Sequence, residues 1–402
     1  MNILWISPAF LHPTDRGGQI RTLGMMKELH KRHTIHFAAL NHAGNPEGPA
    51  RSHEYSTSFT EVIQTPPARN SLRILPQLAA SLFSPIPLAV ARYASPELLH
   101  RLQTLVRSQP FDSIVCDFLA AAPNTPDISQ AVLFQHNVET TIWQRHAETA
   151  ASLPRKLFAS LQAKKMEAYE REISRRSKFV IAVSSLDADR MKKMFAISNV
   201  SAVPTGVDLD YFHKPETPTN NDLIFCGSMD WLPNVDAVEH FLLEIFPLIR
   251  AQRPQTTFVI AGRSPDPRVL RAAQSEPGVA QPGVTVTGSV PDMRPYLWGS
   301  KISVVPIRIG GGTRLKVYEC MAASLPVVST TVGAEGLAYT AGKDILIADT
   351  PAAFAQQCLT LLSNEPARQS IATEALTLVE RSFSWASATA HFESILEANR
   401  LS

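Results

Sequence analysis

A glycine-rich segment that follows a predicted strand and opens a predicted helix has the residue types needed to hold a phosphate-bearing ligand. Its members are small or charged: Gly310, Gly311, Gly312, Thr313, Arg314, Lys316 and Glu319. Glycines let the backbone approach a ligand closely, and a helix N-terminus presents free N–H groups at the positive end of its dipole. Arg314 and Lys316 add two positive charges there. The segment therefore predicts an anion site.

The spacing of Lys316 and Glu319 indicates what the anion carries. Residues three apart share a helix face, so phosphates at the glycines and ribose hydroxyls at Glu319 would match the layout of a nucleoside diphosphate. The segment lacks the Gly-Lys-Ser/Thr of a Walker loop, and Leu315 stands where a third Rossmann glycine would be. A structural glycine turn with a Lys–Glu pair on the surface is the alternative interpretation.

Two further groups follow predicted strands directly. Gly17 and Gly18 come after the first strand, and His136 comes after the strand predicted at Ala131–Gln135. Ligands of parallel α/β sheets bind beyond the carboxyl ends of the strands. Both groups are therefore candidates for ligand contact, although a tight turn would explain the glycines and a structural role would explain the histidine.

The candidate metal ligands are unconvincing. Asp187 and Asp189 form a DxD pair, the motif by which some sugar transferases hold a diphosphate through a cation, but they follow two serines and are typical of a helix start. A second pair, Asp208 and Asp210, begins a predicted linker. The four cysteines are far apart and form no CxxC pair, which argues against structural zinc and a disulfide framework. We expect no metal.

The chain-wide pattern positions these groups in two domains. Short apolar runs alternate with helical patterns, which predicts βαβ units and parallel sheets, and about eleven strands are too many for one ordinary domain. The polar, proline-containing stretch 210–222 is predicted to be a linker. We expect two Rossmann-like, doubly wound α/β domains, 1–205 and 206–382, facing a cleft that holds the site.

The composition is that of a folded chain without a membrane-spanning helix. Of 402 residues, 45% are hydrophobic and 18% charged, and no run of about 18 apolar residues occurs. The first eight residues lack the basic region and the long apolar stretch of a signal peptide. We therefore expect a cytoplasmic location.

The formal charge of +2 hides an asymmetry. Residues 1–205 hold 23 Lys and Arg against 16 Asp and Glu, whereas 206–402 hold 15 against 20. Segment 155–193 alone has 11 basic and 5 acidic residues. It lacks a nucleic-acid-binding motif, so we expect no nucleic acid partner. Two interpretations remain open: peripheral contact with the anionic cytoplasmic face of a membrane, or a solvated helix face.

Taken in chain order, these residues resemble glycosyltransferase family 4, which contains retaining enzymes of the GT-B fold. The similarity covers nearly the whole length. Its motifs are Gly17-Gly18, His136-Asn137, Pro204-Thr-Gly-Val-Asp208, Ile260-Ala-Gly-Arg263, Gly288-Ser-Val-Pro-Asp292, Gly310–Glu319 and Gly333-Ala-Glu-Gly336. The Gly-Gly-Gly-Thr-Arg-Leu-Lys pattern is similar to that of exopolysaccharide and surface-glycan sugar transferases. Segment 383–402 resembles the family's C-terminal helix, which crosses back onto the first domain.

The resemblance implies a role for each matched position. Backbone around Ser289-Val290 would read the nucleotide base, and Glu319 would bind the ribose hydroxyls. Gly17-Gly18 would approach the diphosphate from the first domain. His136 would lie beside the transferred sugar and assist through its side chain or its carbonyl, and Arg263 would border the cleft.

Two departures from the family pattern concern charge. Gly311 stands where many members have the first glutamate of a Glu-x7-Glu pair. Segment Cys226–Asn234 lacks the Arg and Lys with which many members hold the diphosphate. We infer that Arg314 and Lys316 compensate the departing diphosphate instead, without a metal, because charge that develops in a dry site needs a preorganised partner.

The resemblance thus implies a retaining hexosyltransferase of polysaccharide biosynthesis. It would move a sugar from a UDP- or GDP-linked donor to a glycan, a lipid-linked or a small-molecule hydroxyl acceptor, with no further cofactor. Two alternatives stay open: a nucleotide-sugar epimerase on the same scaffold, and a non-catalytic nucleotide-sugar-binding protein. Incubation with donor alone distinguishes the first, and binding without turnover distinguishes the second.

Overall fold

The chain divides into two compact units. Unit 1 comprises Met1–Gly206 and Trp385–Ser402, and unit 2 comprises Val207–Ser384. The computed structural model describes residues 1–14, 17–42, 44–64, 81, 84–148, 152–215, 220–309 and 314–401. The glycine segment Gly310–Thr313 lies outside the described residues, so its phosphate-binding role stays a prediction.

Unit 1 is built on a seven-stranded parallel sheet of order β3-β2-β1-β4-β5-β6-β7. Its strands are β1 Asn2–Ser7, β2 Thr34–His42, β3 Ser58–Gln64, β4 Ser113–Asp117, β5 Ala131–Gln135, β6 Phe179–Ala182 and β7 Val200–Ala202. Its helices are α1 Gly17–His30, α2 Glu47–Ala50, α3 Leu88–Ala91, α4 Pro96–Ser108, α5 Glu139–Glu148, α6 Leu153–Arg176 and α7 Ser185–Phe195, with 3₁₀ turns at Ser52–Glu54, Leu119–Asn124 and Ile128–Gln130.

Unit 2 is built on a six-stranded parallel sheet of order β12-β9-β8-β13-β14-β15, with a separate β10-β11 hairpin. Its strands are β8 Asn221–Cys226, β9 Phe258–Ala261, β10 Gln274–Glu276, β11 Val279–Ala280, β12 Val284–Gly288, β13 Ser300–Val305, β14 Val327–Ser329 and β15 Leu346–Ile347. Its helices are α8 Leu209–Phe212, α9 Leu232–His240, α10 Phe246–Gln252, α11 Pro267–Ala272, α12 Arg294–Trp298, α13 Leu315–Ala322, α14 Pro351–Ser363 and α15 Glu365–Ser382, with a π-helical segment at Phe241–Ile245.

The predicted fold class, two α/β units on parallel sheets, is confirmed. Every strand predicted from an apolar run is present, because each run is buried in the middle of a sheet. Edge strand β3 was not predicted, since only Val62 among its residues is buried and the apolar signal is weak. The predicted linker 210–222 is wrong at both ends. Asp208 caps α8 by accepting from the Tyr211 N–H at 2.9 Å, and β8 already begins at Asn221.

The last helix, α16 Trp385–Ala398, completes the core of unit 1. The buried Phe392 ring stacks on Trp5 with centroids 5.5 Å apart and meets Phe134 edge-on at 5.1 Å. Gly24 of α1 is required for this packing, because a Cβ there would lie 2.3 Å from the Trp385 ring. Residues far apart in the chain therefore share one apolar layer.

Helix α6 carries much of the basic segment 155–193, and part of its charge is engaged within the unit. Arg171 pairs with Glu167, Arg176 pairs with Glu172, and Lys165 donates to the Ser81 and Ser84 carbonyls. Its first turn instead exposes Leu153 and Leu157, at 69% and 63%, beside Arg155 and Lys156. In the part of the chain that the structure describes, no helix is long and apolar enough to span a bilayer.

Replacing Phe392 by Ala should destabilise unit 1 by about 3–5 kcal/mol, the usual cost of removing a buried ring. Chemical denaturation followed by tryptophan fluorescence measures this loss. The exposed neighbour His391→Ala is the matched control and should change stability little. Equal stability of the two variants would contradict the assignment of α16 to the core.

Candidate functional site

Unit 2 contains a pocket of about 720 Å³ beyond the carboxyl ends of its central strands. Six residues predicted for the site line it: Arg263, Ser289, Val290, Arg314, Lys316 and Glu319. The turns after β8, β9 and β12 and the start of α13 bring them together. A volume of this size suits a small-molecule ligand. We call it the donor pocket.

Lys316 is held in a fixed direction at the wall of the donor pocket. Its Nζ donates to Oδ1 of Asn234 at 2.8 Å and to the Cys226 carbonyl at 3.1 Å, and it lies 4.2 Å from the centre of the Phe225 ring. The residue keeps some surface exposed, but its ammonium is densely surrounded. Burial lowers the pKa of Lys316 to about 8, and the nearby charge of Arg314 adds to this effect. The ammonium is therefore still charged at neutral pH.

Two glycines make room for this arrangement. A Cβ on Gly227 would lie 2.8 Å from Nδ2 of Asn234 and 3.2 Å from the Lys316 ammonium. A Cβ on Gly262 would lie 1.7 Å from the Gly227 carbonyl oxygen, so the turns after β8 and β9 can touch only without side chains here. The family-like Ala-Gly pair thus serves close packing of the two turns.

Glu319 lies one helical turn beyond Lys316 and lines the same pocket. Burial raises the pKa of its carboxyl group, and the positive charge of Lys316 opposes this rise. An ammonium and a carboxyl group therefore lie along one face of α13, as the spacing predicted. They can accept an anion and donor hydroxyls, respectively.

The donor pocket is also bordered by an aromatic clamp. Asp292 binds the Arg294 guanidinium through both its oxygens at 2.7–3.0 Å, and this guanidinium lies 4.0 Å from the centre of the Tyr211 ring. Tyr211 and Phe212 line the pocket. The clamp gives the pocket an apolar, planar wall near Ser289 and Val290.

In unit 1, His136 is buried, with its side chain only 1% exposed, and both ring nitrogens have partners. Nε2 lies 2.7 Å from Oδ1 of Asp117, and Nδ1 lies 3.2 Å from Nη1 of Arg21. A guanidinium can only donate, so Nδ1 accepts and Nε2 carries the proton. Burial lowers the pKa of His136, opposed by Asp117, which keeps the imidazole neutral. Asp117 also accepts from Ser7 and Thr22 at 3.1 Å each.

The ring of His136 is also enclosed on its faces. Phe118 stacks on it with centroids 3.8 Å apart, and Phe134 lies 4.4 Å away. A Cβ on Gly18 would lie 2.5 Å from the Phe118 ring, so α1 begins directly against this stack. Gly17 is exposed, with nothing near its Cβ position. The side chain of His136 therefore fixes the β5 tip, and its effect on a sugar and the diphosphate contact of Gly17 and Gly18 stay predictions.

Comparison with known proteins identifies the domain that carries the donor pocket. Residues 220–364, within unit 2, match the family model described as glycosyl transferases group 1. Unit 2 carries a group 1 glycosyltransferase domain. A relative, an uncharacterised 44.6 kDa protein in the cps region of Klebsiella pneumoniae, is 20% identical over 290 residues, which are 70% of this chain and 74% of that protein.

The two-unit fold matches solved GT-B glycosyltransferases. Sucrose-phosphate synthase from Thermosynechococcus elongatus has a TM-score of 0.68 at 14% identity, over 99% of this chain and 98% of that one. HepE from Anabaena, solved in complex with UDP, has a TM-score of 0.66 at 11% identity, over 99% of this chain and 100% of that one. At these identities the likeness establishes the GT-B fold.

Several partners in the group 1 glycosyltransferase domain and in unit 1 were not predicted from the sequence. Asn234 lies in the segment that attracted notice only for its missing cations, and Tyr211 was assigned to the linker. Asp117 and Arg21 carry no motif of their own. The one usable signal was Asp208, a helix-capping residue directly before an aromatic pair.

Nitrogen-detected NMR of the histidines should show His136 as the neutral Nε2–H form from pH 6 to 8. Arg21→Leu should raise the pKa of His136, because it removes a positive charge and the donor to Nδ1. The exposed Arg107→Leu is the matched control and should leave the spectrum of His136 unchanged. An Nδ1–H form, or an imidazolium at pH 7, would show that the network is drawn wrongly.

Proposed function

We propose that this protein is a retaining glycosyltransferase that moves a hexose from a nucleoside diphosphate sugar to a hydroxyl acceptor. The observation that carries the proposal is the Lys316 ammonium, fixed by two neutral oxygens at the wall of the donor pocket. The group 1 domain supports it, and the UDP bound to Anabaena HepE favours a UDP-linked donor. The relative in the cps region supports a role in polysaccharide biosynthesis.

The donor pocket suits the parts of such a donor in order. The diphosphate would accept from the Lys316 ammonium, with Arg314 as the second cation. Ribose hydroxyls would donate to Glu319, one turn away. The base would lie against backbone at Ser289-Val290, beside the wall formed by Tyr211. Charge-assisted hydrogen bonds of this kind are about twice as strong as neutral ones.

The chemistry would be front-face displacement. The bond between the anomeric carbon and the diphosphate oxygen breaks while the acceptor oxygen bonds to the same face of that carbon. The acceptor's proton moves to the leaving diphosphate oxygen. Negative charge grows on the diphosphate during this step, so a cation already in place lowers the barrier. Lys316 meets that need because its contacts fix its direction before the donor arrives.

If Lys316 and Arg314 provide the whole charge compensation, activity should survive EDTA. Initial rates with and without the chelator, after removal of adventitious ions, measure this. Loss of turnover that Mn²⁺ or Mg²⁺ restores would instead favour metal-assisted departure of the diphosphate.

Alanine variants of Lys316 and Glu319 should separate their roles. Lys316→Ala removes a charge from the leaving group and should lower kcat by ~10²–10³. Glu319→Ala removes hydrogen bonds that are similar in ground and transition states, so its loss should lie mainly in KM for the donor. Arg314→Ala should have an intermediate effect. Steady-state kinetics with varied donor measure all three.

Lys343→Ala is the control for these variants, because Lys343 is an exposed lysine of unit 2 paired with Glu374. Affinity for UDP provides a second readout. Since burial lowers the pKa of Lys316 to about 8, the ammonium loses its charge as the pH rises through this value, and UDP affinity should fall there. Lys316→Ala should remove that pH dependence. A Lys316→Ala variant with unchanged kcat and unchanged KM would refute the diphosphate assignment.

We also propose that the protein works at the cytoplasmic face of a membrane, held by the first turn of α6. Two exposed leucines, Leu153 and Leu157, and two exposed basic residues, Arg155 and Lys156, lie together there. Each basic residue near an anionic surface contributes about 1 kcal/mol. Other basic residues of the predicted segment 155–193 are engaged in pairs, which narrows the contact to this turn.

Sedimentation with anionic vesicles should show binding that weakens with salt, because the attraction is screened within a Debye length. Arg155→Glu should reduce it several-fold. Arg176→Glu changes the net charge equally at the other end of α6, where Arg176 is paired with Glu172, and should have less effect. Equal effects, or equal binding to neutral vesicles, would return the segment to a solvated helix face.

A further inference from the structure

Unit 1 contains a second pocket, of about 290 Å³, at the carboxyl ends of β1, β2 and β4. We call it the unit 1 pocket; its walls include Val90, Tyr93, Phe118, Glu139 and Met166. It shares no lining residue with the donor pocket. Its volume is about ten times the roughly 30 Å³ of one water in the liquid, so it can take one short segment of a ligand.

One apolar wall of the unit 1 pocket is rigid. Phe118 has a φ of 69°, a backbone conformation that bulky residues seldom adopt. Its ring is pressed onto His136 on one side, and Gly18 leaves no space beside it. Because these contacts fix the ring, a ligand meets a wall that is already formed, which reduces the ordering cost of binding.

The unit 1 pocket also contains one carboxyl group in a fixed position. Glu139 begins α5, and its backbone N–H donates to Oε1 of Glu170 at 3.0 Å. Glu170 is fully buried and also accepts from the N–H and hydroxyl of Thr140, at 2.8 and 2.6 Å. Burial raises the pKa of Glu139, so its carboxyl group gains from a hydroxyl partner. A buried carboxylate is thus used to place another at the pocket wall.

The walls offer few hydrogen bonds for their area. Among the described residues, the Ser7 hydroxyl already donates to Asp117, and the Gln19 amide donates to the Phe10 carbonyl at 3.1 Å. A hydroxyl-rich sugar ring would lose water from several hydroxyls without replacement, which is costly. An apolar group that carries one neighbouring hydroxyl would instead fill the walls and satisfy Glu139.

We propose that the unit 1 pocket binds the acceptor and that this acceptor is amphipathic. Its apolar part lies against Phe118, Val90 and Met166, and a hydroxyl next to that part donates to Glu139. This inference rests on the proposed function and names its acceptor class: alkyl, aryl or lipid-linked glycosides rather than free sugars.

Titration calorimetry of the full chain with methyl and octyl β-glucoside, the latter below its micelle concentration, tests the apolar part. Octyl β-glucoside should bind at least tenfold more tightly, since two buried methylene groups alone contribute about that factor. Val90→Asp, or the milder Met166→Gln, should remove most of this difference. Equal affinities of the native chain for both glucosides would overturn the proposal.

Substitution of Glu139 tests the hydroxyl contact. Glu139→Gln should weaken octyl β-glucoside several-fold, because an amide oxygen is a weaker acceptor than a carboxylate. Glu148→Gln, at the exposed far end of α5, is the matched control and should change nothing. Unchanged affinity in Glu139→Gln would remove this residue from the site and overturn the proposal.

Thermal stabilisation by UDP, measured on the same samples, separates this inference from the proposed function. UDP should stabilise every variant equally, because the donor pocket is untouched, and this also shows that each variant is folded. UDP binding without preference for the octyl ligand would overturn only the acceptor assignment. Octyl preference without any UDP binding would support the ligand class and overturn the proposed function.

Discussion

An ammonium group taken out of water needs oxygen partners, and Lys316 finds neutral ones. The Asn234 amide and the Cys226 carbonyl fix its direction but leave its charge uncompensated. A carboxylate in their place would have neutralised it. Burial of the charge therefore costs free energy that an incoming anion can recover. The turns after β8 and β9 serve this placement, because Gly227 and Gly262 keep side chains out of the space that Lys316 and Asn234 occupy.

Unit 1 treats buried charge in the opposite way. Asp117 and Glu170 are fully buried carboxyl groups, and each has several donors from its own unit. Asp117 holds the His136 ring, and Glu170 holds the start of α5. Their hydrogen-bonding capacity is spent on positioning the ends of β4 and β5. The two units thus divide the work: one keeps a charge available, and the other uses charge to hold its loops still.

The sequence could reveal what is local. Apolar runs predicted the central strands, and the spacing of Lys316 and Glu319 predicted their common helix face. It could not reveal partners that only folding brings together. Asn234 lies 82 residues from Lys316, and Arg21 lies 115 from His136. Edge strand β3 was missed for a different reason, since burying one residue leaves little hydrophobic pattern to detect.

The placement of α16 has a consequence for protein synthesis. Unit 1 begins the chain, yet Phe392, which closes its core against Trp5, is among the last residues translated. All of unit 2 leaves the ribosome first. Until α16 follows, the nascent unit 1 exposes Trp5 and Phe134, an apolar surface of the kind that chaperones recognise and that promotes aggregation. Unit 2 can therefore finish folding earlier, and the order of folding runs against the order of the sequence.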